Sequence, residues 1–121
     1  MNLITLFAAV VLIESGGDIQ ALGDNGRAYG PAQIHQAALT DYNRWTGAHY
    51  TLADCTDLTL SRKVFFAYVK HYCTKSRLGR PVTVRDAARI WNGGPDGWRQ
   101  SETLLYWQKI NKAIRGKQCP K

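Results

Sequence analysis

The 121-residue sequence has little of what marks several common protein classes. There are three cysteines, Cys55, Cys73 and Cys119, and no C-x-x-C pair. The three histidines, His35, His49 and His71, have no i, i+4 helical spacing. The ligand spacing of a zinc site is therefore missing, and no metal is expected. Cys55 and Cys73 flank a segment with a helical pattern and are candidate disulfide partners, while Cys119 falls in the closing "GKQCPK". Three thiols do not fix a redox compartment. Internal repeats and low-complexity tracts are absent. The N-terminal apolar run "LITLFAAVVLI", residues 3–13, is too short for the ~20 residues that span a bilayer. No Lys or Arg precedes it and no cleavage site follows it neatly. It is read as a buried first helix, with a secretion leader as the alternative. Acids are also scarce: 9 Asp and Glu face 16 Lys and Arg, giving a formal charge of +7 and a pI near 9.6. That excess favours a polyanion, whether nucleic acid, anionic membrane or an acidic wall polymer.

What is present is enough apolar material for one folded domain over residues 1–121, at 45% hydrophobic residues. Residues 3–14 read as a helix with Leu3, Phe7, Val10 and Glu14 on one face. "SGGD" stops it, because paired glycines disfavour continuation. "GDNG", 23–26, is a turn signal that suits two short strands, 20–22 and 27–29. Helices are predicted over 32–44, 58–73, 84–91 and 101–115, with Thr83 and Asp86 marking the start of the third. Residues 46–57, the basic "KSRLGRP" and "NGGPDG", 92–97, read as connections, and 115–121 as a frayed tail. The fold class is α+β, mostly α, with one small hairpin after the first helix.

Two carboxylates stand out. Glu14 ends an apolar helix on its apolar stripe. The macrodipole at a helix C-terminus disfavours an anion, and so does a dry setting. A raised pKa is the expected direction, which suits a general acid. A solvated helix-end carboxylate is the bland alternative. Asp24 lies in a turn, where Asp is common. A turn is also wet and rich in N–H groups, which keep a carboxylate ionised. One dry acid and one wet acid suit glycosidic cleavage. In "ARIWNGGPDGW", 88–98, Trp91 beside Asn92 suits sugar stacking and hydrogen bonding, although Trp91 could equally pack in the core.

These stretches together resemble a known family. "ESGG…GDNGRAYGPAQI" is similar to the E-S-G…G-A-x-G-x-x-Q-I signature of the lysozyme superfamily, as in lytic transglycosylases. "ARIWNGGP" resembles their A-x-x-Y-N-x-G-P motif, and more closely the R-I-H-N-G-G-P of invertebrate-type lysozymes, whose later T-L-x-Y-W matches "TLLYW". The matching segments run in order from residue 13 to 107. Departures are Trp91 before Asn92, Pro31-Ala32 in place of Leu-Met, and no dense disulfide set. The resemblance implies a lysozyme-like fold with Glu14 as catalytic acid and Asp24 near the position of a second acid. It implies that Ser15, Gln33 and Asn92 orient the acid or contact sugar. The implied activity is a muramidase cutting peptidoglycan glycan strands outside the cytoplasm. A lytic transglycosylase is the alternative within the family. No metal or organic cofactor is required, and a monomer with no nucleic-acid partner and no integral membrane segment is expected. The alternatives of another class are a lectin-like glycan binder and a basic nucleic-acid binder using "SRKVFFAYVKHYCTKSRLGR", 61–80.

Overall fold

The computed structural model of the protein describes residues 1–118. Six α-helices and one two-stranded antiparallel sheet are described, besides short 3₁₀ turns: α1 Leu3–Ser15, β1 Leu22–Gly23, β2 Ala28–Tyr29, α2 Gln36–Thr46, α3 Leu58–Tyr72, α4 Lys75–Leu78, α5 Val84–Gly93 and α6 Leu104–Gln118. The predominantly helical class with an early hairpin agrees with the sequence. The chain divides into two compact units, residues 14–68 and residues 1–13 with 69–121.

In the unit 14–68, the hairpin pairs Leu22 with Tyr29 and Gly23 with Ala28. Its tip has three successive residues at positive φ: Asp24 at 50°, Asn25 at 57° and Gly26 at 82°. Acid, amide and glycine are the residue types that tolerate this region, so the turn is set by "DNG" itself. The first strand starts two residues later than the sequence suggested, at Leu22. The second helix also starts late, at Gln36 rather than 32. Residues 30–33 instead form a tight turn closed by a Tyr29–Ile34 bridge, with Gln33 at φ 53°. That turn buries Pro31, Ala32 and Ile34, so short-range apolar spacing mimicked a helix there. Gly30 is required because Cys55 O occupies the place of a Cβ. The expected loop 46–57 contains a 3₁₀ helix, Leu52–Thr56, started by a Thr51–Asp54 capping box. Asn43 holds the loop by bonding both backbone groups of Tyr50, at 2.9 and 3.1 Å.

In the other unit, α1 buries Leu6, Phe7, Ala9 and Val10. The predicted basic connector contains α4, opened by Thr74 and closed by Gly79 at φ 77°. α5 starts where Thr83 and Asp86 suggested, and the two residues form a capping box there. Asp86 is buried and also accepts two 2.8 Å bonds from Arg80. α5 packs against α6 and the intervening turns. It extends to Gly93, so Asn92 is helical rather than part of a turn. α6 runs through Gln118, so residues 115–118 of the expected frayed tail are helical, while 119–121 lie outside the described residues.

The disulfide expectation is corrected. Cys55 and Cys73 are both buried free thiols. Burial pushes each thiol up to about 11, with Asp54 adding to the effect at Cys55 and Asp86 at Cys73. With Cys119 replaced by Ser, the native protein should therefore resist a thiol reagent at neutral pH and take up two labels in denaturant. Fast labelling of the native protein, or none after unfolding, would contradict this arrangement.

Candidate active site

Glu14 is half-buried in the last turn of α1. The helix supplies no charged residue over 3–13, so its carboxyl follows an entirely uncharged stretch. The next residue fixes the helix end. Ser15 Oγ donates to Pro31 O at 2.8 Å and accepts from Gly17 N at 3.2 Å. Gly16 and Gly17 then turn the chain at φ 64° and 91°. Ser15 thus ties the end of the Glu14-bearing helix to the turn behind the hairpin.

Gln33 locks that hairpin. Its Nε2 donates to Gly30 O at 2.9 Å and Ala21 O at 3.2 Å. Its Oε1 lies where a Cβ on Gly23 would fall, which accounts for glycine there. The amide resembles a lock between backbone segments more than a free sugar ligand.

Asp24 is exposed at the hairpin tip. His35 Nε2 lies 2.9 Å from Asp24 Oδ2, and Arg27 Nη2 lies 3.7 Å from Oδ1. The His35 hydrogen bond and the Arg27 charge hold the Asp24 carboxyl below its usual range. His35 and Arg27 were not anticipated from the sequence. His35 is eleven residues from Asp24, and the Tyr29–Ile34 bridge and the Gln33 hydrogen bonds bring the chain back to the hairpin beside it.

Trp91 and Asn92 belong to the other unit, near the end of α5. Trp91 is half-buried and Asn92 exposed. The turn after them is braced by the buried Arg89, another residue the sequence reading missed. Arg89 Nε donates to Thr103 Oγ1 at 2.8 Å and Nη2 to Gln100 O at 2.7 Å. Gly97 is required because Arg89 O occupies the place of its Cβ. In the segment 61–80, Phe65 and Tyr68 are buried, and Phe66 and Tyr72 half-buried. That pattern gives no exposed row for stacking bases.

A chain in the crystal structure of Aeromonas hydrophila PliI in complex with Meretrix lusoria lysozyme has the same fold, with a TM-score of 0.74 at 24% identity over 89% of this chain and 87% of that one. The crystal structure of Tapes japonica lysozyme gives a TM-score of 0.73 at 28% identity, with the same coverage of both chains. In sequence, a lysozyme of Magallana gigas is 40% identical over 60 residues, 50% of this chain and 42% of the relative. An invertebrate-type lysozyme of Ruditapes philippinarum is 39% identical over 56 residues, 46% of this chain and 40% of the relative. The chain has the fold of solved lysozymes and is similar in sequence to curated lysozymes over about half its length. No family model matches it. It spans about half the length of the curated relatives it matches. This lysozyme-like chain is mostly helical with one two-stranded sheet, and among its described residues no helix is long and apolar enough to cross a membrane.

Proposed function

We propose that the protein is a peptidoglycan-cleaving glycosidase that hydrolyses the β-1,4 bond between N-acetylmuramic acid and N-acetylglucosamine. The observation that carries this reading is a half-buried glutamate ending an uncharged helix, in a chain similar to invertebrate-type lysozymes. Glu14 protonates the leaving oxygen. Asp24 faces the positive charge that develops at the sugar carbon. His35 and Arg27 lower its proton affinity, which makes it a weak base but a persistent anion. Its role is electrostatic stabilisation, attack on the sugar or activation of water, according to the carboxyl separation. Trp91 and Asn92 contact the glycan, Ser15 fixes the helix end that carries the acid, and Gln33 holds the hairpin. The work is done outside the cytoplasm, where the wall lies, and the protein acts as a monomer.

A lytic transglycosylase is the second reading. There Glu14 works alone and the muramoyl C6 hydroxyl replaces water, giving 1,6-anhydro ends. Asp24, held as an anion by two basic neighbours, favours hydrolysis. Mass spectrometry of muropeptides after digestion separates the two. Reducing ends are expected; anhydro ends would overturn the hydrolase reading, and uncut glycan would overturn both.

A further inference from the structure

The positive charge is divided unevenly along the chain. Residues 1–13 and 69–121 hold twelve of the 16 Lys and Arg and three of the 9 acids, a formal +9. Residues 14–68 hold four basic residues and six acids, a formal −2. The unit with both candidate carboxylates is thus slightly acidic, and attraction to a polyanion resides in the other.

Within that basic unit, three guanidinium groups surround the turn that follows Asn92. Arg77 Nη1 donates to Pro95 O at 3.0 Å and to Tyr72 O at 2.7 Å. Arg77 Nη2 and Arg99 Nη2 both lie 3.4 Å from the same oxygen, Asp96 Oδ1. Arg80 and Arg99 each sit 5.5 Å from the centre of the Trp98 ring. Asp86 neutralises Arg80 with a bidentate pair. Asp96 is left to serve both Arg77 and Arg99, at distances long for a charge-assisted bond. One carboxylate cannot neutralise two guanidiniums, and Arg99 is 63% exposed. The turn therefore presents unspent positive charge and N–H donors in a fork that matches a carboxylate.

We propose that Arg77 and Arg99 on this turn bind the free carboxylates of the short peptides attached to peptidoglycan glycan, so that glycan with free peptide carboxylates is preferred to glycan whose peptide carboxylates are capped. The proposal rests on the reading of Trp91 and Asn92 as glycan contacts. Arg77 bonds Pro95, three residues beyond Asn92, and Arg99 is four residues further on. An anion carried covalently by the glycan is therefore placed beside them whenever the glycan is engaged. A separate phosphate-bearing wall polymer has no such tether.

The test is a binding measurement in a Glu14→Gln background, which prevents turnover. The probes are one fluorescently labelled soluble glycan with its peptides, the same glycan with its peptide carboxylates converted to neutral amides, and isolated wall phosphate polymer. Binding to the glycan with free peptide carboxylates should be about three- to tenfold tighter at low salt, the scale of one or two exposed charge pairs. The gap should shrink as salt rises. Adding Arg99→Gln should close it, and Arg99→Lys should retain part of it, with circular dichroism confirming the fold. Equal binding of the two glycans, or a gap that survives Arg99→Gln, overturns the proposal. So does tight binding of the phosphate polymer with no peptide effect. If the gap behaves as described but the wild type cuts no glycan, the muramidase reading fails and this one stands. If the wild type cuts both glycans and the gap is absent, the reverse holds.

Discussion

Replacing Glu14 by glutamine is expected to give a folded protein that lyses cell walls at least ~100-fold more slowly than the wild type. Glutamine has nearly the same shape and a similar helix propensity, so the last turn of α1 should persist. Leu6, Phe7, Ala9 and Val10 are buried along the preceding turns and are untouched by the change. What disappears is the transferable proton. Without it the leaving oxygen departs as an alkoxide, which is the step a general acid exists to avoid. The deficit should appear in kcat, because the proton moves only in the transition state. The checks are thermal unfolding and turnover of a defined glycan. Near-normal turnover by a folded Glu14→Gln protein would remove Glu14 from the role assigned to it.

Much of the site's framework was legible because its signals are local. The Asn25-Gly26 pair suits positive φ, and both residues adopt it, with Asp24 joining them. Thr83 and Asp86 predict a helix start, and α5 begins there with the two joined in a capping box. Leu60, Val64, Ala67, Tyr68 and Tyr72 are spaced as one stripe on α3; Leu60, Val64 and Tyr68 are buried, while Ala67 and Tyr72 are half-buried. The stripe does not exhaust that core, since Phe65 and Val69 are fully buried as well. The misses are long-range or mimic another pattern. Residues 30–34 have helical apolar spacing but are held by Gln33 and a bridge to Tyr29. Cys55 and Cys73 flank a helix and yet are free thiols, because flanking says nothing about where two sulfurs point. Arg89 carries no local signal of its buried role, since its partners Thr103 and Gln100 lie 14 and 11 residues away. His35 beside Asp24 is of the same kind. No spacing rule pairs residues eleven apart across a bridge.

That pairing shapes the last expectation. Asp24→Asn should lower the rate of glycan cleavage roughly 100-fold or more, while binding of a product oligosaccharide changes much less. The sugar is cationic only in the transition state, so a fixed anion is felt there and not in the ground state. The substitution suits the site. Asp24 sits at φ 50°, a region asparagine tolerates as well as aspartate. The amide oxygen can still meet His35 Nε2, now 2.9 Å from Asp24 Oδ2. The variant therefore removes charge and leaves the hairpin. The His35 and Arg27 interactions set the pH behaviour as well. They hold the folded-state pKa of Asp24 below 3.8, so the anion, and the stability its pairing adds, persists above the ordinary carboxylate range and is lost only as pH falls through the lowered value. His35→Ala should raise that value and move the acid limb of the rate profile to higher pH. In a transglycosylase Asp24 would be a turn residue and nothing more. Asp24→Asn would then keep most of its activity and release 1,6-anhydro ends, and that outcome would transfer the chemistry to Glu14 alone.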